Sequence, residues 1–334
     1  MPKMLQTRLS FPITFFIGCV ILLMMFALSL MLGAAQVPMR DVWLALMTNE
    51  AGDSLTMIRE IRLPRGVAAI FLGAALSVAG AVMQGMTRNP LADPGLLGLT
   101  AGANAALAVT IALITTNYVG IMIACFIGAA VGAGLVFSIG RVKRGGMSPF
   151  RLVLAGAAVS AFLHAIAEGI GLSFKISREV SLWTSGGLLG ASWAQLQIVI
   201  PVILFGLLIA ILLSRQVTIL SLNDDVATGL GQKTELIKAL LFIVIILLAG
   251  ASVALAGNLA FVGLMVPHIV RSFVGTDYRF IIPMSAIIGA TFMLMADTLA
   301  RTISAPYEAP VAAILAIIGL PFFLWVVRKG GKGF

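Results

Sequence analysis

The chain has few charged residues. Only 10% of its 334 residues are charged, 60% are hydrophobic, and the mean hydropathy is +1.09. An average soluble domain carries about 25% charged residues. The scarcity of charge therefore excludes an ordinary soluble protein and indicates an integral membrane protein.

Residues that build catalytic and metal sites are also scarce. The chain has two cysteines, Cys19 and Cys125, both inside apolar runs, and two histidines, His164 and His268. Neither a disulfide framework nor a usual zinc site can be assembled from this set. A phosphate-binding loop is excluded because Gly146 stands where its lysine is needed. We predict no catalytic residue, metal or cofactor in this chain, and we expect that it does not hydrolyse nucleotide by itself.

Long apolar runs dominate the sequence. A transmembrane helix needs about 20 apolar residues, and candidate runs lie near 11–33, 64–84, 95–115, 118–139, 151–172, 196–214, 237–256, 259–273, 281–299 and 310–327. Barrel strands would alternate in polarity, whereas "IKALLFIVIILLAGASVALAG" (237–257) is apolar on every face. We predict an all-α, polytopic helical bundle of about ten spans, forming a single transmembrane domain over 1–334.

The first 35 residues leave one alternative open. Lys3, Arg8, a hydrophobic middle and "LGAAQ" (32–36) are similar to a signal peptide. The apolar stretch is longer than the usual 7–15 residues of a signal sequence, which favours an uncleaved first helix.

Basic residues are unevenly distributed between the two sides of the predicted bundle. Fifteen lysines and arginines fall on the side of both termini and seven fall on the other. The positive-inside rule therefore predicts a multi-pass protein of the cell membrane with both termini in the cytoplasm. The net charge of +9 is then explained by contact with anionic lipid, and the sequence contains no basic and aromatic pattern that indicates nucleic-acid binding.

Ionisable residues inside membrane spans are candidates for function because they are costly there. His164 and Glu168 are four residues apart on one helix face, where they could line an aqueous path or form a satisfied pair inside the bundle. Asp297 is four residues before Arg301, so its carboxylate could simply orient that guanidinium. We expect His268, directly after a proline, to be structural.

Two polar segments stand out between spans. The segment 214–238, here called the coupling segment, contains Asn223, Asp224 and Asp225 as candidate helix caps, and Gly229 or Gly231 could end that helix. It is interpreted either as a solvated connector or, preferably, as a compact docking surface for a partner. On the opposite side, "IREIRLPRG" (58–66) supplies arginines suited to binding carboxylates, although anchoring to lipid headgroups would explain them equally.

Six ordered motifs carry a family resemblance. They are "RLPR" (62–65), "GAALSVAGAVMQGMTRNPLADPGLLG" (73–98), "RLVLAG" (151–156), "VALAGNLAFVGLMVPHIVR" (253–271), "ADTLAR" (296–301) and "APVAAILAIIGLPFFLWVV" (309–327). Together they make the chain resemble the FecCD-type permeases, the membrane subunits of ABC importers for iron–siderophores, haem and cobalamin. The resemblance implies a type II importer fold, a second permease subunit (a paralogue favoured over an identical copy), two ATP-binding subunits and an extracytoplasmic binding protein.

The resemblance also implies roles for individual residues. It assigns docking of the binding protein to Arg62, Arg65 and Arg301, and contact with the ATPase to the part of the coupling segment that contains Leu222, Asn223, Asp224, Asp225, Gly229 and Gly231. It places a cytoplasmic gate at Asn89 and Leu91, which would explain the proline- and glycine-rich stretch between two spans. A second constriction would fall at Ser148 and Pro149, where only Ser148 keeps the hydroxyl typical of the family.

The expected function is ATP-driven import of an iron(III)–siderophore by alternating access. Import of cobalamin or haem is the alternative within the family. A secondary transporter, with His164 and Glu168 as a proton relay, is the alternative from another class.

Overall fold

A computed structural model describes residues 10–33, 35–114, 117–141 and 149–328. These residues form sixteen α-helices: α1 Phe11–Met31, α2 Met39–Met47, α3 Asp53–Met57, α4 Leu63–Thr87, α5 Leu99–Leu113, α6 Tyr118–Arg141, α7 Pro149–Ser173, α8 Ser177–Thr184, α9 Trp193–Leu212, α10 Ser214–Leu220, α11 Asp224–Gly229, α12 Thr234–Ile245, α13 Ala251–Ala256, α14 Val262–Val274, α15 Tyr278–Thr302 and α16 Val311–Arg328. Two π-helical turns, Ile58–Arg62 and Ile246–Gly250, join α3 to α4 and α12 to α13.

The predicted spans correspond to these helices. Eight helical segments among the described residues are long and apolar enough to cross a membrane, and α5 and α14 are shorter apolar helices. Together they match the ten predicted runs and make the chain a multi-pass helical membrane protein. No strand occurs in the ranges that the structure describes.

Two predicted boundaries differ from the structure in detail. The second predicted span begins with α4, at Leu63, but helical structure extends back from there without a break to Asp53 through the π-helical turn. The third span begins at Leu99 rather than at 95, because Pro94–Leu97 form a 3₁₀ turn that ends at Gly98 with φ +72°. Pro94 and Gly98 set the start of α5, since proline and glycine both favour a break before a helix.

Helix α4 is the centre of the bundle. Nearly every residue from Ala68 to Thr87 is buried, and α14 and α15 pack directly against the helix. A Cβ atom on Gly80 would lie 1.9 Å from the carbonyl oxygen of Gly263 in α14. A Cβ atom on Gly73 would lie 2.2 Å from that of Gly289 in α15. Without a driving force from water, membrane helices depend on such close backbone packing.

The bundle has two distinct ends. The start of α4 and the end of α15 meet the end of α1 around Arg62, Arg65 and Arg301, which defines the arginine-cluster end. The end of α4 meets the coupling segment through Arg88 and Asn223, which defines the coupling-segment end. The sequence-based assignment of these features to opposite sides of the membrane matches this separation.

Candidate functional site

The arginine cluster is built around one buried carboxylate. Asp297, with 1% of its side chain exposed, accepts hydrogen bonds from Nε of Arg65 at 2.9 Å and from Nε of Arg301 at 3.1 Å. Arg65 also donates through Nη1 to Glu308 at 2.8 Å. As the spacing of Asp297 and Arg301 indicated, the carboxylate orients the guanidinium four residues later, but it also holds a second arginine from α4.

The remaining donors of the cluster bind the end of α1. Arg62 donates to the carbonyl oxygens of Leu30, Met31 and Ala35, the first at 2.7 Å. Arg301 donates to those of Ser29 and Leu32 at 3.0 and 3.1 Å. The last carbonyls of a helix lack partners within the helix and carry partial negative charge. Arg62 and Arg301 therefore cap α1 and tie it to α4 and α15.

The three arginines predicted to dock a binding protein are thus directed inward. Arg62, Arg65 and Arg301 are only 5–6% exposed, and each bonds to groups of this chain. Contact with a docking protein would require these internal bonds to be exchanged or shared. Their docking role stays a prediction, and their role in holding α1, α4 and α15 together is visible in the geometry.

A cleft with a mostly apolar surface lies between α5, α7, α8, α16 and the segments that precede α5 and α14. Its volume is about 540 Å³, within the range of roughly 300–1,000 Å³ typical of small-molecule sites. Its polar lining residues are Asp93, Thr100, Asn104, Ser160, His164, Thr184 and Asn258. Apolar side chains complete the wall, and no lysine or arginine lines it in the described part of the chain.

His164 and Glu168 occupy different positions relative to this cleft. Both side chains are exposed on α7, but His164 lines the cleft and Glu168 does not. The structure therefore places one of these two path candidates at the cleft. His268, predicted to be structural, packs edge-on against the ring of Phe322, with centroids 5.7 Å apart.

The predicted gate, Asn89 and Leu91, lies in a compact turn of residues 88–92, here called the gate segment, which reaches the cleft. After α4 ends, Arg88 adopts the left-handed conformation with φ +54°. The side chain of Asn89 accepts a hydrogen bond from the backbone N–H of Leu91 at 3.0 Å, and Leu91 lines the cleft. Of the second predicted constriction, Ser148 lies outside the described residues, and Pro149 is described only as the first residue of α7.

The coupling segment folds into two short helices, α10 and α11. As predicted, Asn223 is the N-cap of α11, accepting a hydrogen bond from the N–H of Asp225, and the helix ends at Gly229. Gly231 follows with φ +79°. The apolar side chains of Leu222 and Leu230 are each 65% exposed. Both side chains are therefore accessible for contact with a partner.

The sequence analysis missed several buried polar residues. Gln84 in α4 accepts a hydrogen bond from Nη1 of Arg271 at 2.7 Å, and Arg271 also donates to the hydroxyl of Tyr278 at 3.0 Å. Asn104 accepts a hydrogen bond from the hydroxyl of Thr184 at 3.3 Å. Gln84 and Asn104 are amide side chains within largely apolar helices, which is the signal that could have identified them.

The described residues contain no group of three or more His, Cys, Asp and Glu side chains that could hold a metal ion. Cys125 is buried, and Cys19 is half-buried and free. The cleft can therefore enclose a small molecule by shape, hydrogen bonding and apolar contact, without a metal ligand set of its own.

Comparison with known proteins gives a consistent result. The model of the FecCD transport family matches residues 21–329. The Bacillus subtilis iron(3+)-hydroxamate import system permease protein FhuB is 42% identical over 92% of this chain and 80% of its own length. The Bacillus subtilis Fe(3+)-citrate import system permease protein YfmD is 39% identical over 95% and 94%. A metal-chelate type ABC transporter in an inward-facing conformation superposes with a TM-score of 0.83, at 26% identity, over 95% of this chain and 99% of that one.

Proposed function

Because this chain belongs to the FecCD transport family, we propose that it is the permease subunit of an ATP-binding cassette importer that moves an iron(III)–siderophore across the cytoplasmic membrane by alternating access. The similar proteins are named for iron(3+)-hydroxamate, Fe(3+)-citrate and a metal chelate. These names share one cargo chemistry, a metal ion held by an organic chelator. Haem and cobalamin are the alternative cargoes.

One observation carries the proposal. Leu91 of the gate segment lines the cleft, while Arg88, three residues earlier, contacts the coupling segment. The path and the predicted site of ATPase contact therefore meet within one short stretch of chain. A transporter driven by a separate ATPase needs this arrangement, because movement of the coupling segment has to reach the path.

The chain is a non-catalytic subunit in this proposal. ATP and Mg²⁺ bind two partner ATPase subunits, which contact Leu222 and the capped helix α11 in the cytoplasm, where both termini also lie. The cleft opens toward a second permease subunit, a paralogue of this chain. Hydrolysis moves the coupling segment, and the gate at Asn89 and Leu91 opens or closes in response.

The arginine-cluster end faces the extracytoplasmic binding protein. Carboxylates of that protein would compete for Arg62, Arg65 and Arg301 with the carbonyls of α1 and with Asp297 and Glu308. Glu308, whose side chain is 27% exposed, is the more accessible of the two carboxylates, because that of Asp297 is 1% exposed. Docking is therefore expected to exchange the Glu308 contact first.

Uptake by cells lacking this chain tests the cargo. Radiolabelled ferric hydroxamate, ferric citrate, haem and cobalamin are supplied separately, with and without the chain restored from a plasmid. The proposal predicts loss and recovery of ferric chelate uptake alone. Loss of only haem or cobalamin uptake would refute the assigned cargo.

An ion-gradient transporter is the second candidate, because His164 is an ionisable residue of a membrane-spanning helix and lines the cleft. A protonophore applied while cellular ATP is maintained separates the two candidates. ATP-driven import continues under this treatment, whereas proton-driven import stops.

A further inference from the structure

Arg88 joins two parts of the chain that are far apart in sequence. Its Nη1 donates to Oδ1 of Asn223 at 3.3 Å, and its Nη2 donates to Oδ2 of Asp224 at 3.3 Å. The same oxygen of Asp224 accepts a hydrogen bond from Nζ of Lys238 at 3.0 Å. Arg88 belongs to the gate segment, and its partners are the cap and the first residue of α11. The guanidinium of Arg88 thus joins the start of the gate segment to the start of α11.

The gate segment is built to move with Arg88. The N–H of Asn89 donates to the carbonyl of Gln84 at 3.3 Å, the N–H of Ala92 donates to the carbonyl of Asn89 at 3.1 Å, and the side chain of Asn89 accepts from the N–H of Leu91 at 3.0 Å. This internal bonding makes the turn after Arg88 compact. Displacement of the guanidinium is therefore passed along the turn to Leu91 at the cleft.

The Asp224 carboxylate makes two contacts of different kinds. Lys238 is buried, with 7% of its side chain exposed, and lies in α12, fourteen residues from Asp224. That contact closes the coupling segment on itself. Arg88 is 33% exposed and lies 136 residues away. Its contact is the one that leaves the coupling segment and reaches the gate.

We propose that Arg88 is a positioning residue that transmits movement of α11 to the gate segment, so that it sets how much substrate is transported for each ATP hydrolysed. This inference rests on the proposed function. An arginine suits the role because its planar group can donate to two residues at once, whereas a lysine offers one compact charge. Partly exposed ion pairs contribute little to folding stability, so a purely structural role would leave little trace when the residue is removed.

The test uses the complete transporter in proteoliposomes, supplied with the binding protein, ATP and a radiolabelled ferric trihydroxamate. Transported chelate and hydrolysed ATP are measured together for Arg88→Ala, Arg88→Lys and the matched control Arg328→Ala. Arg328 is an exposed basic residue at the end of α16. Assembly and thermal unfolding of each complex are measured in parallel.

We expect Arg88→Ala to lower the ratio of transported chelate to ATP roughly tenfold, a usual size for coupling between sites, without loss of assembly or thermal stability. Arg88→Lys should fall between that variant and the wild type, and Arg328→Ala should match the wild type. In a complex that already carries Asn223→Ala and Asp224→Ala, removing Arg88 should cause no further decrease, because both side-chain acceptors of its guanidinium are gone.

Two results would overturn the inference. One is an unchanged ratio in Arg88→Ala. The other is a decrease that follows reduced assembly and stability in Arg88→Ala and Arg88→Lys alike. Failure of the wild-type complex to transport with ATP is a separate outcome, which would overturn the proposed function and this inference with it.

Discussion

Replacement of Asp297 by asparagine is expected to destabilise the arginine-cluster end more than any other single loss of charge there. The carboxylate is 1% exposed and accepts hydrogen bonds from two guanidinium groups, those of Arg65 and Arg301. Removing one partner of a buried ion pair costs about 3–5 kcal/mol, because the other charge is left without compensation. In Asp297→Asn the three arginines of the cluster would share one carboxylate, that of Glu308.

Glu308→Gln is the matched control. Its carboxylate contacts Arg65 at 2.8 Å but is 27% exposed, and Arg65 keeps its ion pair with Asp297 when Glu308 is replaced. The expected cost is about 1 kcal/mol or less, as for partly exposed pairs. Both variants and the wild type are compared by thermal and denaturant unfolding of the purified protein in detergent. Equal stability of Asp297→Asn and Glu308→Gln would refute the reasoning that burial makes Asp297 the centre of the cluster.

Two further predictions concern packing and pH. Gly80→Ala places a Cβ atom where the carbonyl of Gly263 lies 1.9 Å away, so α4 and α14 must separate, and we expect a loss of about 1–3 kcal/mol or more in detergent unfolding. Gly134→Ala, where a Cβ atom meets nothing within 4 Å, is the control and should not lose stability. Hydrogen bonding from the Arg279 side chain lowers the pKa of Asp277, the N-cap of α15. Since a lowered pKa in the folded state stabilises the protein above the unfolded pKa, the advantage of the wild type over Asp277→Asn should be complete near neutral pH and disappear as the pH falls through the folded pKa. The melting temperatures of the wild type and of Asp277→Asn are measured over a range of pH. A difference that grows as the pH is lowered would contradict the predicted direction of the pH dependence.

The bundle could be predicted from the sequence because each span carries its own signal. Apolar length identified the ten segments, and local polar chemistry narrowed the cap of α11 to Asn223, Asp224 or Asp225 and its end to Gly229 or Gly231, of which the structure has Asn223 and Gly229. Such features depend on a few neighbouring residues. They do not depend on which other helices pack nearby, so a single sequence is sufficient to find them.

The partners of the buried charges could not be predicted in the same way. Arg62 is satisfied by backbone carbonyls at the end of α1, and a carbonyl is present at every residue, so no side-chain pattern marks these acceptors. Arg88 meets Asp224 across 136 residues of sequence. These contacts depend on how helices pack, which hydropathy does not encode. For the same reason the sequence identified the arginines as functional candidates but not their inward orientation.

Reconstitution tests the central claim most directly, namely that this chain is a conduit driven through its coupling segment by a separate ATPase. Accumulation of radiolabelled ferric chelate is measured in vesicles with the complete transporter, and in vesicles with this chain and its partner permease alone under an imposed proton gradient. The account predicts accumulation only in the first case, and only with hydrolysable ATP. Accumulation by the permeases alone, driven by the proton gradient, would contradict it.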